Sequence, residues 1–246
     1  MFVSGCQALF AVQSGTNMRL AIMQPYFFPY IGYFQLIQAA DAFVVYDDVN
    51  FIKGGWINRN FILVQGDRAR ITLQLKGASP NVLINQIEVG GNGRKLLKSI
   101  EQAYSRAPQY LRVFPIIEDI LTCDKKNLAL YLSHGLQRIC SYLGLFPNWY
   151  MSSQINKDND LRGQKKVLAI CEQLGSTHYI NMPGGKALYD RETFVSHDIQ
   201  LSFIQQKPLS YRQFGKEFVP NLSIIDVMMF NDQESCAQLL QEYSLD

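Results

Sequence analysis

Residues 20–46 read, in four segments, LAIM, QPYFFPYI, GYFQLIQAADA and FVVY. The first and last segments are short apolar runs typical of buried strands. Pro25 and Pro29 predict a loop over residues 24–31, because proline lacks an amide hydrogen and fixes φ and so does not fit a central strand or a helix interior. Gly32 then begins a helical pattern. The order strand, loop, helix, strand predicts a βαβ unit with two parallel strands.

The predicted loop carries four aromatic rings, at positions 26, 27, 28 and 30. In α/β folds, ligands bind at loops that leave the C-terminal ends of strands, and such loops often carry function. The loop is therefore interpreted as the rigid, aromatic-lined wall of a binding pocket. The alternative is an aromatic plug that closes the top of the sheet.

Outside this unit, apolar patterns predict further strands and helices. Strands are predicted at 60–64, 70–75, 84–89, 149–152, 177–180 and 199–204, and helices within 94–146 and at 162–174, 223–230 and 233–243. Strands and helices thus alternate at both ends of the chain, which predicts a mainly parallel sheet between two layers of helices. We expect an α/β, three-layer, Rossmann-like fold with an inserted hairpin and helical block.

The domain organisation follows from the position of the first strand. Met18 directly precedes that strand and is interpreted as the natural start. Residues 18–246 are therefore expected to form one domain that includes the helical block at about 94–146. Residues 1–17 are expected to be a disordered or mis-annotated extension.

The composition of the 246-residue chain is that of a folded globular protein, since 48% of its residues are hydrophobic and 18% are charged. The formal net charge of +2 is too weak to favour nucleic acid or an anionic membrane surface. No apolar run approaches the about 20 residues that span a bilayer. The five cysteines include no Cys-x-x-Cys pair, which favours reduced thiols and a cytoplasmic location.

A polar loop follows the second strand, from Asp47 to Asn60. Its length is typical of a functional loop. Asp47 and Asp48 are suited to orient an amine or a metal, and the alternative is that they cap a turn or helix. Lys53 and Arg59 are suited to bind phosphate or carboxylate. Asn58 and Asn60 are suited to bind sugar hydroxyls, and Trp56 is suited to stack on a ring.

Another polar segment follows the strand predicted at 177–180. Gly184 and Gly185 allow close backbone approach to an anion beside the lysine that comes next, and a plain turn is the alternative. Tyr189 and Asp190 follow within reach. The three histidines of the chain show no metal-ligand spacing, so no metal site is predicted.

Together these segments resemble the WbqC-like family. The resemblance rests on blocks at 23–34, 46–49, 53–60, 179–190 and 218–226, and it covers Arg19 to about residue 230. Members of the family are bacterial and are associated with the biosynthesis of surface polysaccharides such as O-antigen, a part of lipopolysaccharide. The resemblance implies a glycine or aminoacyl transferase that modifies an amino sugar, and it assigns no catalytic residues.

A second resemblance concerns Tyr30-Ile31-Gly32-Tyr33, which is similar to the His-x-Gly-His layout of cytidylyltransferase-like enzymes. In those enzymes the histidines steady nucleotide phosphates at a helix N-terminus. Here tyrosine stands at both histidine positions, and tyrosine donates a hydrogen bond but carries no positive charge. The layout therefore implies a nucleotidyltransferase-like fold more than that activity.

The first functional hypothesis is transfer of an aminoacyl group to the amine of a nucleotide-linked amino sugar. Asp47, Asp48 or His178 would be the base, and Lys53 or backbone amides of the glycine pair would stabilise the oxyanion. The sugar or nucleotide would be bound by the following residues: Gln24, Tyr26, Tyr30, Gly32, Tyr33, Lys53, Trp56, Asn58, Arg59, Asn60, Gly184, Gly185, Tyr189 and Asp190.

Two further hypotheses compete with this one. The second is a nucleotidyltransferase that uses Mg²⁺ and a nucleotide, with the phosphates held by Lys53, Arg59 and Lys186. The third is a non-catalytic partner of other polysaccharide biosynthesis enzymes, in which the aromatic loop anchors an interface.

Overall fold

The computed structural model describes residues 17–215 and 217–246. The predicted N-terminal extension therefore lies, apart from Asn17, outside the described residues. The strands are β1 (Arg19–Met23), β2 (Ala42–Val45), β3 (Arg59–Val64), β4 (Asp67–Thr72), β5 (Leu75–Lys76), β6 (Glu88–Val89), β7 (Asn148–Met151), β8 (His178–Asn181), β9 (Gln200–Gln206) and β10 (Tyr243–Leu245). The helices are α1 (Ile31–Ala39), α2 (Gly93–Tyr104), α3 (Tyr110–Thr122), α4 (Leu128–Leu143), α5 (Gly163–Leu174), α6 (Arg191–Ser196), α7 (Ile224–Phe230) and α8 (Gln233–Leu240).

Six strands form the main sheet, in the order β7-β2-β1-β8-β9-β10. The first five run parallel to one another, and β10 pairs with β9 in the antiparallel direction. Strand β1 pairs with β2 in register from Leu20 opposite Ala42 to Met23 opposite Val45. The predicted βαβ unit and the α/β fold with a mostly parallel sheet are therefore confirmed.

Helices cover both faces of the sheet because alternate side chains of each strand point to opposite faces. Ala21 and Phe43 belong to the core that the sheet shares with α1, α4, α7 and α8. Leu20 and Val44 belong to the core that it shares with α5 and α6. Strands β1 and β2 are thus buried on both faces, which explains why they read as short apolar runs.

The hairpin and the helical block are inserted between β2 and β7, which are neighbours in the sheet. The hairpin of β3 and β4 turns at Gln65 and Gly66, whose φ angles of 53° and 89° match a two-residue turn of the mirror-image type. The prediction of one strand over 84–89 is wrong. A 3₁₀ turn at Ile84–Gln86 precedes the short β6, because the amides of Ile84 and Asn85 bond to carbonyls of the loop after β2.

The C-terminal segment also differs from the prediction of one helix over 233–243. Helix α8 ends at Leu240 and β10 follows it. The side-chain amide of Gln35, buried in α1, donates to the carbonyls of Leu239 and Glu242 at 3.0 and 3.2 Å. These bonds fix the turn that lets the chain return along β9 as an antiparallel edge strand.

The aromatic loop after β1 is packed into the interior. Phe27 and Phe28 are 1% and 3% exposed, and they face α3 and α4 across a gap of only about 10 Å³. Phe28 has a φ of 45°, an uncommon value for a bulky residue. Its carbonyl accepts hydrogen bonds from the Asn60 amide at 2.7 Å and the Ser223 hydroxyl at 2.8 Å, which hold this conformation. Phe27 and Phe28 therefore form the plug that was the alternative interpretation.

Candidate functional site

The candidate site lies at the carboxyl edge of the sheet, where β2, β1 and β8 end side by side. From β1 the chain moves to β2 and β7 on one side, and it later returns to β8 and β9 on the other side. Such a reversal leaves a crevice outside the carboxyl ends of the strands. The loops at 24–30, 46–58 and 182–190 all leave this edge, so the sequence placed them correctly relative to the sheet.

A buried cluster of three charges lies beyond the end of β2. The Asp48 Oδ2 atom is 2.9 Å from the Nζ atoms of both Lys157 and Lys166. The side chains of the two lysines are 1% and 2% exposed, and that of Asp48 is 9% exposed. Lys166 also donates to the Asp48 carbonyl at 2.8 Å, and Lys157 donates to the Ser152 carbonyl. Two cations and one carboxylate give the cluster a net positive charge.

The charge state of Asp48 follows from these contacts. Burial acts to raise the pKa of Asp48, but hydrogen bonds from Ser152 and from the two lysines outweigh burial and lower it. Asp48 is therefore ionised at neutral pH. The lysines are held in place by an ion pair that a neutral residue at position 48 would not supply.

The sequence analysis missed both lysines. Lys166 had a usable signal, because it stands four residues before Ile170 on the buried stripe of α5, where a lysine is rarely found without a partner. Its neighbour Lys165 is exposed on the other side of the helix. Lys157 lies in an irregular polar segment after β7 and carried no signal of this kind.

One tyrosine lies directly beside the cluster. The Tyr46 ring centroid is 5.3 Å from the Lys166 Nζ atom. Burial is the main cause that raises the pKa of Tyr46, with smaller contributions from nearby Tyr189 and Asp48. The hydroxyl of Tyr179 lies 3.5 Å from that of Tyr189. Tyr46 and Tyr189 pack against the same apolar core, which α5 helps to form, although they lie in different loops.

Gly185 is required by the packing of this edge. A Cβ atom at Gly185 would lie 2.5 Å from the Asn181 Nδ2 atom and 3.1 Å from the Tyr189 ring. At Gly184 a Cβ atom would meet nothing within 4 Å. The neighbour that restricts position 185 is therefore the side chain at the end of β8, and the approach of this glycine pair to an anion stays a prediction.

Asp47 has a different environment from Asp48. It is 1% exposed, and its carboxylate accepts hydrogen bonds from the Ser153 amide at 2.9 Å and the Ser153 hydroxyl at 2.6 Å. The Asn85 amide donates to it at 3.3 Å. Asp47 therefore joins the insertion to the segment after β7, as the capping alternative described.

His178 is not brought together with the two aspartates. It is the first residue of β8 and pairs with Arg19, the first residue of β1, so it lies at the amino edge of the sheet. Burial is the largest cause that lowers the pKa of His178, and Arg19 adds to the effect while Asp41 opposes it. Only two of the three residues considered as bases share an edge.

The polar side chains after Asp48 divide into two groups. Asn58 and Asn60 use their amides to hold backbone carbonyls of Leu73 and of the aromatic loop, respectively. Arg59 donates to the Gly55 carbonyl at 3.0 Å. By contrast, the side chains of Lys53 and Trp56 are exposed. The two asparagines thus build the loop, and Lys53 and Trp56 are available to a ligand.

Tyr30 and Gly32 form a unit at the start of α1. A Cβ atom at Gly32 would lie 2.4 Å from a carbon of the Tyr30 ring, so only glycine lets the ring cover the helix N-terminus. Tyr30 lines a cavity of about 380 Å³ at the end of β9, together with Tyr211 and Phe218. Burial is the main cause that raises the pKa of Tyr30 to about 12. The cavity therefore lies beside the aromatic loop, and Tyr30 lines it, whereas Phe27 and Phe28 are buried in the interior.

The other predicted binding residues are engaged within the chain. The Tyr33 hydroxyl donates to the Gln24 carbonyl at 2.9 Å, and Tyr26 packs against Tyr33 with ring centroids 5.5 Å apart. Asp190 caps α6 by accepting from the Thr193 amide at 2.9 Å. These residues fix the shape of the edge.

Lys186 also has a partner, since its ammonium pairs with the Asp246 carboxylate. Among residues 17–215 and 217–246, no group of three or more His, Cys, Asp or Glu side chains is arranged to hold a metal ion. No helix in the described part of the chain is both long and apolar enough to cross a membrane.

The chain matches the model of the WbqC-like protein family over residues 24–238, and it belongs to that family. The family predicted from the sequence is thus confirmed. The chain is also 29% identical over 222 residues to the uncharacterized protein Rv1507c of Mycobacterium tuberculosis, an alignment that covers 87% of this chain and 93% of the relative. No solved structure gave a significant match.

Proposed function

We propose that this protein is a transferase that joins an aminoacyl group, glycyl in the simplest form, to the amine of a nucleotide-linked amino sugar used for bacterial surface polysaccharide such as O-antigen. The observation that carries the proposal is the buried Lys157–Asp48–Lys166 cluster. It lies at the carboxyl edge of adjacent parallel strands, beside the point where the strand order reverses. Numbered along the chain, the five parallel strands follow the order 3-2-1-4-5, which supports a Rossmann-like fold with its ligand at this edge.

The chemistry requires charge stabilisation more than a strong base. The sugar amine attacks the carbonyl carbon of the activated acyl group, a C–N bond forms, and the bond from carbon to the leaving oxygen breaks. The amine proton passes to that leaving oxygen. The negative charge that develops on the carbonyl oxygen is stabilised by the net positive field of Lys157 and Lys166, which is strong because both are buried.

Asp48 has two roles in this proposal. It holds the two ammonium groups at fixed positions, and its carboxylate attracts and orients the incoming amine. Its lowered pKa makes it a weak base at neutral pH, which is why the proton is assigned to the leaving group. Tyr46 borders the cluster, and Tyr189 packs against the same core as Tyr46. Both tyrosines are assigned to the acceptor sugar.

The test is a transfer assay with the purified chain. Nucleotide-linked amino sugars and an activated glycyl ester are incubated with the protein, and mass spectrometry measures the gain of one glycyl group. We expect product with the wild type, a large loss with Lys166→Gln, and unchanged activity with Lys165→Gln, the exposed lysine next to it. Equal activity of the two variants would remove the cluster from the mechanism, and absence of product with every acceptor would refute the function.

A Mg²⁺-dependent nucleotidyltransferase is the second candidate, and the strand order favours it because nucleotides bind at such an edge. Of the residues assigned to phosphates, Lys53 is exposed, whereas Arg59 and Lys186 already bond within the chain. Calorimetric titration with nucleoside triphosphates, with and without Mg²⁺, tests this candidate. Binding that requires Mg²⁺ would support it, and no binding under either condition would exclude it.

A further inference from the structure

A second concave surface lies away from the carboxyl edge, between the β3–β4 hairpin and α2. We call it the hairpin groove. Its volume is about 1260 Å³, and none of the residues that were predicted to bind substrate lines it. One wall is a face of α2 on which Lys95, Ser99 and Gln102 recur every three or four residues. At 1.5 Å per residue, the distance from Lys95 to Gln102 is about 10 Å. Arg106 lies two residues after the end of α2 and continues the wall.

The hairpin groove is positively charged. Arg70 on β4 and Lys95 and Arg106 on the opposite wall line it, and no acidic side chain in the described part of the chain belongs to its lining. None of the three forms an ion pair with a carboxylate of the described residues. The three cations of the lining exceed the net charge of +2 that the whole chain carries. A groove with three unneutralised cations attracts an anionic ligand.

Neutral polar groups separate the cations. Gln65, Gln74 and Gln102 line the groove and are exposed. A carboxamide donates and accepts hydrogen bonds through adjacent atoms, which suits a hydroxyl group that also does both. The ligand that fits therefore carries hydroxyl groups between its negative charges.

The groove offers little surface for stacking. Phe214 is the aromatic residue of its lining, and the Arg106 guanidinium already lies 5.9 Å from the centre of that ring. Single-stranded nucleic acids are bound through aromatic side chains on which successive bases stack. The groove therefore favours a ligand that binds without stacking its rings on aromatic side chains.

We propose that the hairpin groove binds a linear acidic oligosaccharide, with its carboxylate, sulfate or phosphate groups on Arg70, Lys95 and Arg106 and its hydroxyl groups on the glutamines. The site is separate from the transfer site at the carboxyl edge.

The test measures binding of a fluorescent heparin hexasaccharide to the full chain by fluorescence polarisation at an ionic strength of about 0.15 M. A neutral dextran hexasaccharide and a single-stranded oligonucleotide of equal charge are compared with it. We expect Lys95→Gln and Arg106→Gln each to weaken heparin binding about tenfold, the loss expected for one charge-assisted hydrogen bond. The matched controls are Arg94→Gln and Lys98→Gln, which remove exposed cations of α2 outside the groove and are expected to change binding less than about twofold.

A steric variant tests the effect of the shape of the groove independently of its charge. Ser99→Trp fills the middle of the groove and leaves every cation in place, so we expect it to abolish heparin binding while the thermal unfolding curve stays unchanged. Equal losses with the groove variants and the control variants would overturn the proposal, because binding would then be a general charge effect. Oligonucleotide binding as tight as heparin binding, or no heparin binding at all, would also overturn it. None of these results depends on the transfer assay.

Discussion

Replacing Asp48 by asparagine removes the counter-charge of two buried lysines. The Asp48 Oδ2 atom is 2.9 Å from both ammonium groups, whose side chains are almost fully buried. Breaking a buried ion pair by removing one partner costs about 3–5 kcal/mol, because the remaining charge stays buried without compensation. At about 2–4 °C per kcal/mol for a chain of this size, the midpoint of thermal unfolding should fall by about 6–20 °C.

The assay is urea unfolding followed by circular dichroism, with Asp119→Asn as the matched control. Asp119 pairs with Arg138 at 2.6 Å, but both side chains are 46% exposed, so its loss should cost less than about 1 kcal/mol. Adding Lys166→Met to Asp48→Asn should restore part of the lost stability, since it removes one of the uncompensated charges. If Asp48→Asn costs no more than Asp119→Asn, the account of the cluster as a buried ion pair is wrong.

Because of Asp48, we also expect the free energy of unfolding to depend on pH in a direction that can be predicted. The pKa of Asp48 is lowered in the folded protein, whereas in the unfolded chain it is about 3.9. Its contribution to the free energy of unfolding is therefore present above about pH 4 and is lost as the pH falls from there through the folded pKa. The difference in stability between the wild type and Asp48→Asn should shrink over this acidic range, and a constant difference would contradict the assignment.

Three further predictions follow from the packing and from the placement of the histidine. Gly32→Ala should cost about 1–3 kcal/mol in urea unfolding because its Cβ would lie 2.4 Å from the Tyr30 ring, and a smaller cost would show that the ring moves freely. Gly185→Ala should lower kcat/KM for glycyl transfer because it displaces a neighbouring asparagine amide, whereas Gly184→Ala, in open space, should not; equal rates would count against a role for this turn. His178→Gln should leave transfer unchanged, since the residue lies at the opposite edge of the sheet. As the pKa of His178 is lowered in the fold, its stabilising effect is present above the unfolded pKa of about 6.5 and is lost below it, so the variant should show a shallower loss of stability on acidification.

The parts of the fold that the sequence predicted are those with local signals. Pro25 and Pro29 located the loop after β1, because the constraint of a proline acts on its own backbone. Apolar periodicity identified α2, α3, α4 and the five parallel strands of the main sheet. The segment at 84–89 was predicted wrongly because its amides bond to a loop that is distant along the chain, and no local pattern reports such a bond. Strand β10 was missed for the same reason, since it is defined by its pairing with β9.

The candidate site was predicted in part. The loops were recognised because chain direction places the ends of parallel strands at one edge, and Asp48 was named. The sequence did not reveal that Asp48 would meet Lys157 and Lys166, since their convergence depends on the packing of α5 and of the segment after β7. Asp47 and Asp48 were both predicted as candidate bases, and their partners in three dimensions distinguish their roles.

The position of the insertion has a consequence for how the protein folds. Strand β7 pairs with β2 in the finished sheet, yet residues 46–147 separate them. Closing so long a connection lowers the conformational entropy of the chain before the contacts between β2 and β7 can form. We therefore expect the hairpin and the helical block to form first and β7 to join the sheet late. During synthesis on the ribosome, β2 emerges long before β7 is available, and its edge stays open to pairing with other chains. The rate at which the insertion collapses therefore sets how long the nascent protein is exposed to aggregation.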